Sequence, residues 1–160
     1  MFSCSDFLNQ EPKTSLTEQE AFSNLENIAP TVDGLYTAFR DSKSGREGLT
    51  FSLLGLDESK QGIVQMDDAA QASLDLYNGL LNSMSTQVDK MWSRRWPIVI
   101  SAANAIYALD VLSETTQDED TLDRIKRLKG EACFIRAMVM MELTMYWGEI
   151  PVVDIAKMEN

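Results

Sequence analysis

The 160-residue chain has no histidine. Histidine is the side chain that titrates near neutrality without help, so its absence removes imidazole-activated serine or cysteine nucleophiles and imidazole zinc sites together. Cysteine is nearly as scarce. Cys4 and Cys133 allow one bridge at most, and their settings differ: one lies near a polar terminus, the other inside an apolar helical pattern. Free thiols are expected. Basic residues are outnumbered, 14 against 25 acidic, for a net charge of −11. That balance argues against nucleic acid, whose binding rests on neutralising phosphates, and against a polybasic membrane contact. No uninterrupted apolar run approaches the roughly 18 residues that span a bilayer. Met1-Phe2-Ser3 is too short for a signal peptide. What remains is ordinary globular composition, 44% apolar and 24% charged, enough for one domain with a core or for a piece of something larger.

Helical spacing dominates the pattern. Residues 130–153, GEACFIRAMVMMELTMYWGEIPVV, anchor it. Apolar residues at 132, 135, 139, 143 and 146 share one helical face. Phe134, Ala137, Met138, Met141 and Met145 cover much of the opposite side, which predicts a helix packed between neighbours. Gly148 supplies a stop, and Pro151 biases Ile150 toward an extended conformation. Upstream, Thr116 and Glu119 suggest a capping box, so the helix is expected over about 118–147. Val88–Leu112 is a second strong helix, in which Pro97 is expected to produce a kink or to mark the true start near Arg95. The polar link 113–120 then predicts an antiparallel helical hairpin. A kinked helix over about 18–40 is expected earlier, with a Thr17–Glu20 capping box and Pro30 and Gly34 inside. Residues 1–16 read as an extended leader, 41–48 as a turn-rich loop, and 69–84 as a weaker helical pattern.

No catalytic constellation emerges. Asp57-Glu58 and Asp67-Asp68 are conceivable acid/base or calcium carboxylates, but no EF-hand spacing accompanies them, and acidic residues in loops are usually solvated. Asn104 lies on or beside a buried stripe and is expected to bond neighbouring backbone rather than a ligand. Trp92 and Trp96, one turn apart, would suit either a sugar-binding platform or the core, and such spacing favours the core.

Three separated motifs resemble the SusD/RagB family of outer-membrane glycan-binding lipoproteins. The first is Gly130-Glu131-Ala132, Phe134-Ile135-Arg136-Ala137, Leu143, Trp147-Gly148 and Ile150-Pro151-Val152. The second is Trp92, Ile100 and Ala103-Asn104. The third is the leader, Cys4-Ser5-Asp6-Phe7-Leu8 with Pro12, to which Gly34-Leu35-Tyr36 adds the end of a first family helix. Met140-Met141, Trp147 and Pro97 depart from the family pattern.

The resemblance implies an all-α, tetratricopeptide-like helical scaffold of antiparallel helix pairs with irregular loops. It comprises a leader over 1–16 and, over 17–160, the N-terminal part of a longer SusD-like domain. It also implies capture of an oligosaccharide or polysaccharide for a SusC-type TonB-dependent transporter, with no enzymatic activity and no cofactor or metal. Cys4 matches the family's lipid-attachment position, implying an outer-membrane, cell-surface location reached only through a lipid anchor. In the form without an export signal Cys4 is expected to be unacylated. The region 41–87, where family ligand contacts arise, carries no motif to align, so no sugar contacts are assigned. The competing expectation is a helical scaffold that binds protein and has no sugar affinity.

Overall fold

In the computed structural model the described residues are 24–44, 53, 56–59, 82 and 85–154, and they are built from helices. Three helices carry the architecture: α1 (Leu25–Ser44), α2 (Thr86–Thr115) and α3 (Glu119–Trp147). The all-α expectation holds. The expected Thr17–Glu20 capping box, the leader and the weak pattern at 69–84 lie outside the described residues.

Asn24 caps α1, its side-chain oxygen accepting from the Asn27 amide at 2.9 Å, which satisfies a donor the first turn leaves unpaired. The helix runs four residues past its expected end, into what read as loop. There the Ser42 hydroxyl donates to the Phe39 carbonyl at 2.7 Å, and Lys43 sits at the negative end of the helix dipole. Pro30 lies inside α1 and Pro97 inside α2. Both are exposed, so the carbonyls they leave unbonded, of Glu26 and Ser93, face the solvent side. Pro97 therefore does not mark the start of α2, which begins at Thr86, nine residues before Arg95.

Thr116 proves to finish α2 rather than start α3. Its amide and its hydroxyl both donate to the Leu112 carbonyl, at 3.2 and 2.8 Å. Asp118 is the residue that caps α3, accepting from the Thr121 amide at 2.9 Å. The Thr121 hydroxyl, followed by its amide, holds the Asp118 carboxyl below its ordinary pKa through these hydrogen bonds.

Cross-helix pairs fix the directions. Trp92 meets Trp147, Arg95 meets Glu142, and Asp110 meets Lys129, so α2 and α3 form the expected antiparallel hairpin. Glu26 pairs with Arg124 at 2.6 Å and Lys43 with Glu142, so α1 runs parallel to α3. One core joins all three: Ile28, Val32 and Leu35 from α1, Val99, Ala102, Ala105 and Leu109 from α2, and Ile125, Ala132, Ile135, Val139 and Leu143 from α3. The alanines of α2 let the neighbouring helices approach closely, since interaxial distance follows side-chain size at the contact.

Two expectations need correction. The second apolar stripe of α3 is not covered among the described residues: Phe134 is 58% exposed and Met145 76%. Tyr146, expected on the buried face, is also exposed. Helix α2 over Gln87–Thr115 is long and apolar enough to cross a membrane by length and composition. Counting uninterrupted runs missed this because Ser101 and Asn104 break the run. Its buried stripe, Met91, Ile98, Val99, Ala102, Ala105 and Leu109, packs against α1 and α3, and that burial accounts for its apolarity.

Candidate functional site

Three features stand out once the helices are placed. The first is a charged junction. Glu142 of α3 accepts from Arg95 Nε at 3.0 Å and pairs with Lys43 of α1, so one carboxylate links all three helices. Arg95 is 4% exposed and also donates from Nη1 to the Met91 carbonyl at 3.4 Å. Burial, followed by the like charge of Arg95, lowers the Lys43 pKa. Burial likewise lowers that of Arg95. An ion pair so placed sets the register of the helices, because a one-turn slip would strand a charge in the interior.

The second is an aromatic cluster beside that junction. Trp92 and Trp96 stack with centroids 5.0 Å apart and planes 14° from parallel. Trp147 meets Trp92 edge-on at 5.3 Å, and Tyr146 meets Trp147 at 5.9 Å. All three tryptophans are half-buried and pack against the core. The stacked face of Trp96 is occupied by Trp92, so the pair seals the open end of the hairpin as the core reading expected.

The third is the segment after α3. Gly148 adopts φ 76°, a backbone conformation that L-residues rarely take. The chain reverses there, and Arg136 Nη2 donates to the Val153 carbonyl. Between this segment and α2 lies a cleft of about 300 Å³ lined by Ala103, Ile106, Tyr107, Asp110, Arg136 and Val153, among others. A groove of about 370 Å³ also runs between α1 and α2 past Gly34, Ala38, Pro97 and Ser101.

The sequence-predicted residues are dispersed. Cys4 and Asp67-Asp68 lie outside the described residues. Asp57 and Glu58 are exposed. Asn104 is half-buried between the buried Ala103 and Ala105. No group of three or more Cys, Asp or Glu suited to a metal ion occurs among the described residues. Sequence reading missed the junction entirely, although Arg95 at a buried helical position was its available signal.

Comparison with known proteins supplies what these features do not. The model of a SusD-like family, described as starch-binding and associating with the outer membrane, matches residues 6–160. The chain is also similar to SusD-like protein P25 of Formosa agariphila, at 22% identity over 158 residues. That alignment covers 94% of this chain and 28% of the relative, so the chain spans little more than a quarter of the relative's length. No solved structure matches.

Proposed function

Because this chain belongs to the SusD-like family, whose members as a class bind rather than catalyse, we propose that it is the N-terminal part of a cell-surface glycan-capture protein. It holds an oligosaccharide or polysaccharide for a SusC-type TonB-dependent transporter and has no enzymatic activity. The observation that carries this reading is the family match across residues 6–160. Its description gives starch binding and outer-membrane association; the transporter partnership is the finer step proposed here. Residues 17–160 supply part of a tetratricopeptide-like scaffold in this reading, and 1–16 a leader that ties the protein to the membrane through a lipid on Cys4.

Two experiments test it. The full-length protein, screened against a panel of polysaccharides, should bind at least one; a folded protein silent across the panel would sink the capture reading. Expressed with a lipoprotein export signal, it should fractionate with the outer membrane, and Cys4→Ser should release it. Unchanged fractionation of Cys4→Ser would remove the anchor from the proposal.

A second reading is favoured by the outward stripe of Phe134, Met141 and Met145. An apolar stripe of this kind marks a contact surface, so a protein-binding scaffold without sugar affinity is the alternative. Association with the transporter together with silence in the polysaccharide screen is its signature.

A further inference from the structure

We propose that the cleft between α2, α3 and residues 152–154 is a subsite for one neutral, hydroxyl-rich ring, such as a single residue of a glycan. The subsite rests on the capture reading above and adds a contact point to it. The cleft holds about 300 Å³, the lower end of the range for small-molecule pockets. That is room for one ring and its substituents, not for a length of polymer. Its open side lets a longer chain seat one residue and continue into solvent. Ala103 to Asp110 lie about 25 Å or more along α2 from Thr86. The cleft is therefore distant from the helix end at which 41–87, the stretch expected to carry the family's ligand contacts, runs into α2.

The lining selects a ligand by shape and by charge. Ala103 and Ile106 give an apolar wall against which the C–H face of a ring can lie, and Tyr107 adds an aromatic body with a polar tip. Asp110 and Asp154 bring carboxylates, and Arg136 a guanidinium. These groups are held before any ligand arrives. Asp110 pairs with Lys129, Arg136 Nη2 donates to the Val153 carbonyl, and Tyr107 and Asp154 have interactions of their own. Polar groups already fixed lose little freedom on binding. The wall is also short of an acceptor, since Arg136 Nε is buried without a hydrogen-bond partner. An anion in the cleft would face two carboxylates, and a cation would face the guanidinium. A hydroxyl meets neither penalty, because one oxygen can donate to a carboxylate and accept from an N–H.

The test is chemical-shift mapping on the full chain, titrated with D-glucose, D-galactose, D-mannose and D-xylose, and with D-glucuronate and D-glucosamine as charged probes. At least one neutral sugar should move the Ala103, Ile106, Tyr107 and Val153 signals and leave those of Ile28 and Leu143 in place. Saturation should come in the millimolar range expected of one ring in an open cleft. The two charged sugars should bind several-fold more weakly. Asp110→Asn and Asp154→Asn, at side chains that solvent reaches, should each weaken binding roughly tenfold without unfolding the chain. No shift at the cleft with any neutral sugar, tighter binding of a charged one, or binding unchanged in both variants overturns the subsite. Polysaccharide bound by the full-length protein while the cleft stays silent overturns the subsite alone. A silent cleft in a protein that binds no polysaccharide removes capture and subsite together.

Discussion

Arg95 Nε of α2 donates to Glu142 Oε2 of α3 at 3.0 Å, with Arg95 4% and Glu142 12% exposed at their side chains. Neither charge is readily solvated on its own, so each depends on the other. Arg95→Met and Glu142→Leu should each cost about 3–5 kcal/mol, the usual penalty for orphaning a buried charge. The double substitution should recover most of that loss, because it leaves no buried charge unpaired: Lys43, the other partner of Glu142, is 43% exposed and can return to water. Urea unfolding across the double-mutant cycle reads this directly; additive losses would show that the two residues act independently.

The cap of α3 gives a pH dependence. Hydrogen bonds from the Thr121 hydroxyl and amide lower the Asp118 pKa in the folded chain. A group whose folded pKa lies below its unfolded value contributes stability above the unfolded value and loses it as pH falls through the folded one. Asp118→Ala should therefore destabilise at neutral pH, and the difference from wild type should shrink as the solution is acidified below the ordinary carboxylate range. A difference independent of pH would mean that the ionised form is not what caps the helix.

The two apolar faces of α3 should respond oppositely to truncation. Leu143 is fully buried, so Leu143→Ala should cost about 2–5 kcal/mol through lost burial and a residual cavity. Met145 points outward, and Met145→Ala should change stability by no more than about 0.5 kcal/mol. Chemical denaturation compares them, and a large loss for Met145→Ala would place a covering element on that face.

Gly148 tests backbone conformation without crowding. A Cβ at this position meets nothing within 4 Å, while its φ of 76° is unfavourable for any L-residue. Gly148→Ala should cost about 1–2 kcal/mol from the backbone alone. An Ala variant with unchanged stability would show that the turn shifts readily to another conformation.

Spacing made the long helices legible, because burial on one face imposes a period of 3.6 that Ile135, Val139 and Leu143 display openly. Boundaries were less legible. Thr116-x-x-Glu119 fits a capping box on paper, but the Thr116 hydroxyl is already engaged by the Leu112 carbonyl, and Asp118 takes the role. Phe134 and Met145 showed that apolar periodicity reports a surface in need of a partner without naming the partner. The charged junction was hidden for another reason: Lys43, Arg95 and Glu142 are 47 or more residues apart along the chain, and only the helix register brings them together. The family was legible because its motif residues, such as Ala132, Ile135 and Arg136, hold fixed places in the packing.

The short link at Thr116–Asp118 also bears on the order of assembly. Helices α2 and α3 meet through residues near one another in sequence, with Asp110 and Lys129 only 19 apart. Helix α1 docks through partners such as Glu26 and Arg124, 98 apart. Closing the longer loop costs more entropy before any contact rewards it. The hairpin is therefore expected to form first, with α1 joining a surface already formed. Destabilising substitutions at Leu109 and Ile135 should slow refolding, whereas those at Ile28 and Val32 should chiefly accelerate unfolding. A chain that emerges with α1 first must hold that helix's apolar face in waiting until the hairpin exists to receive it.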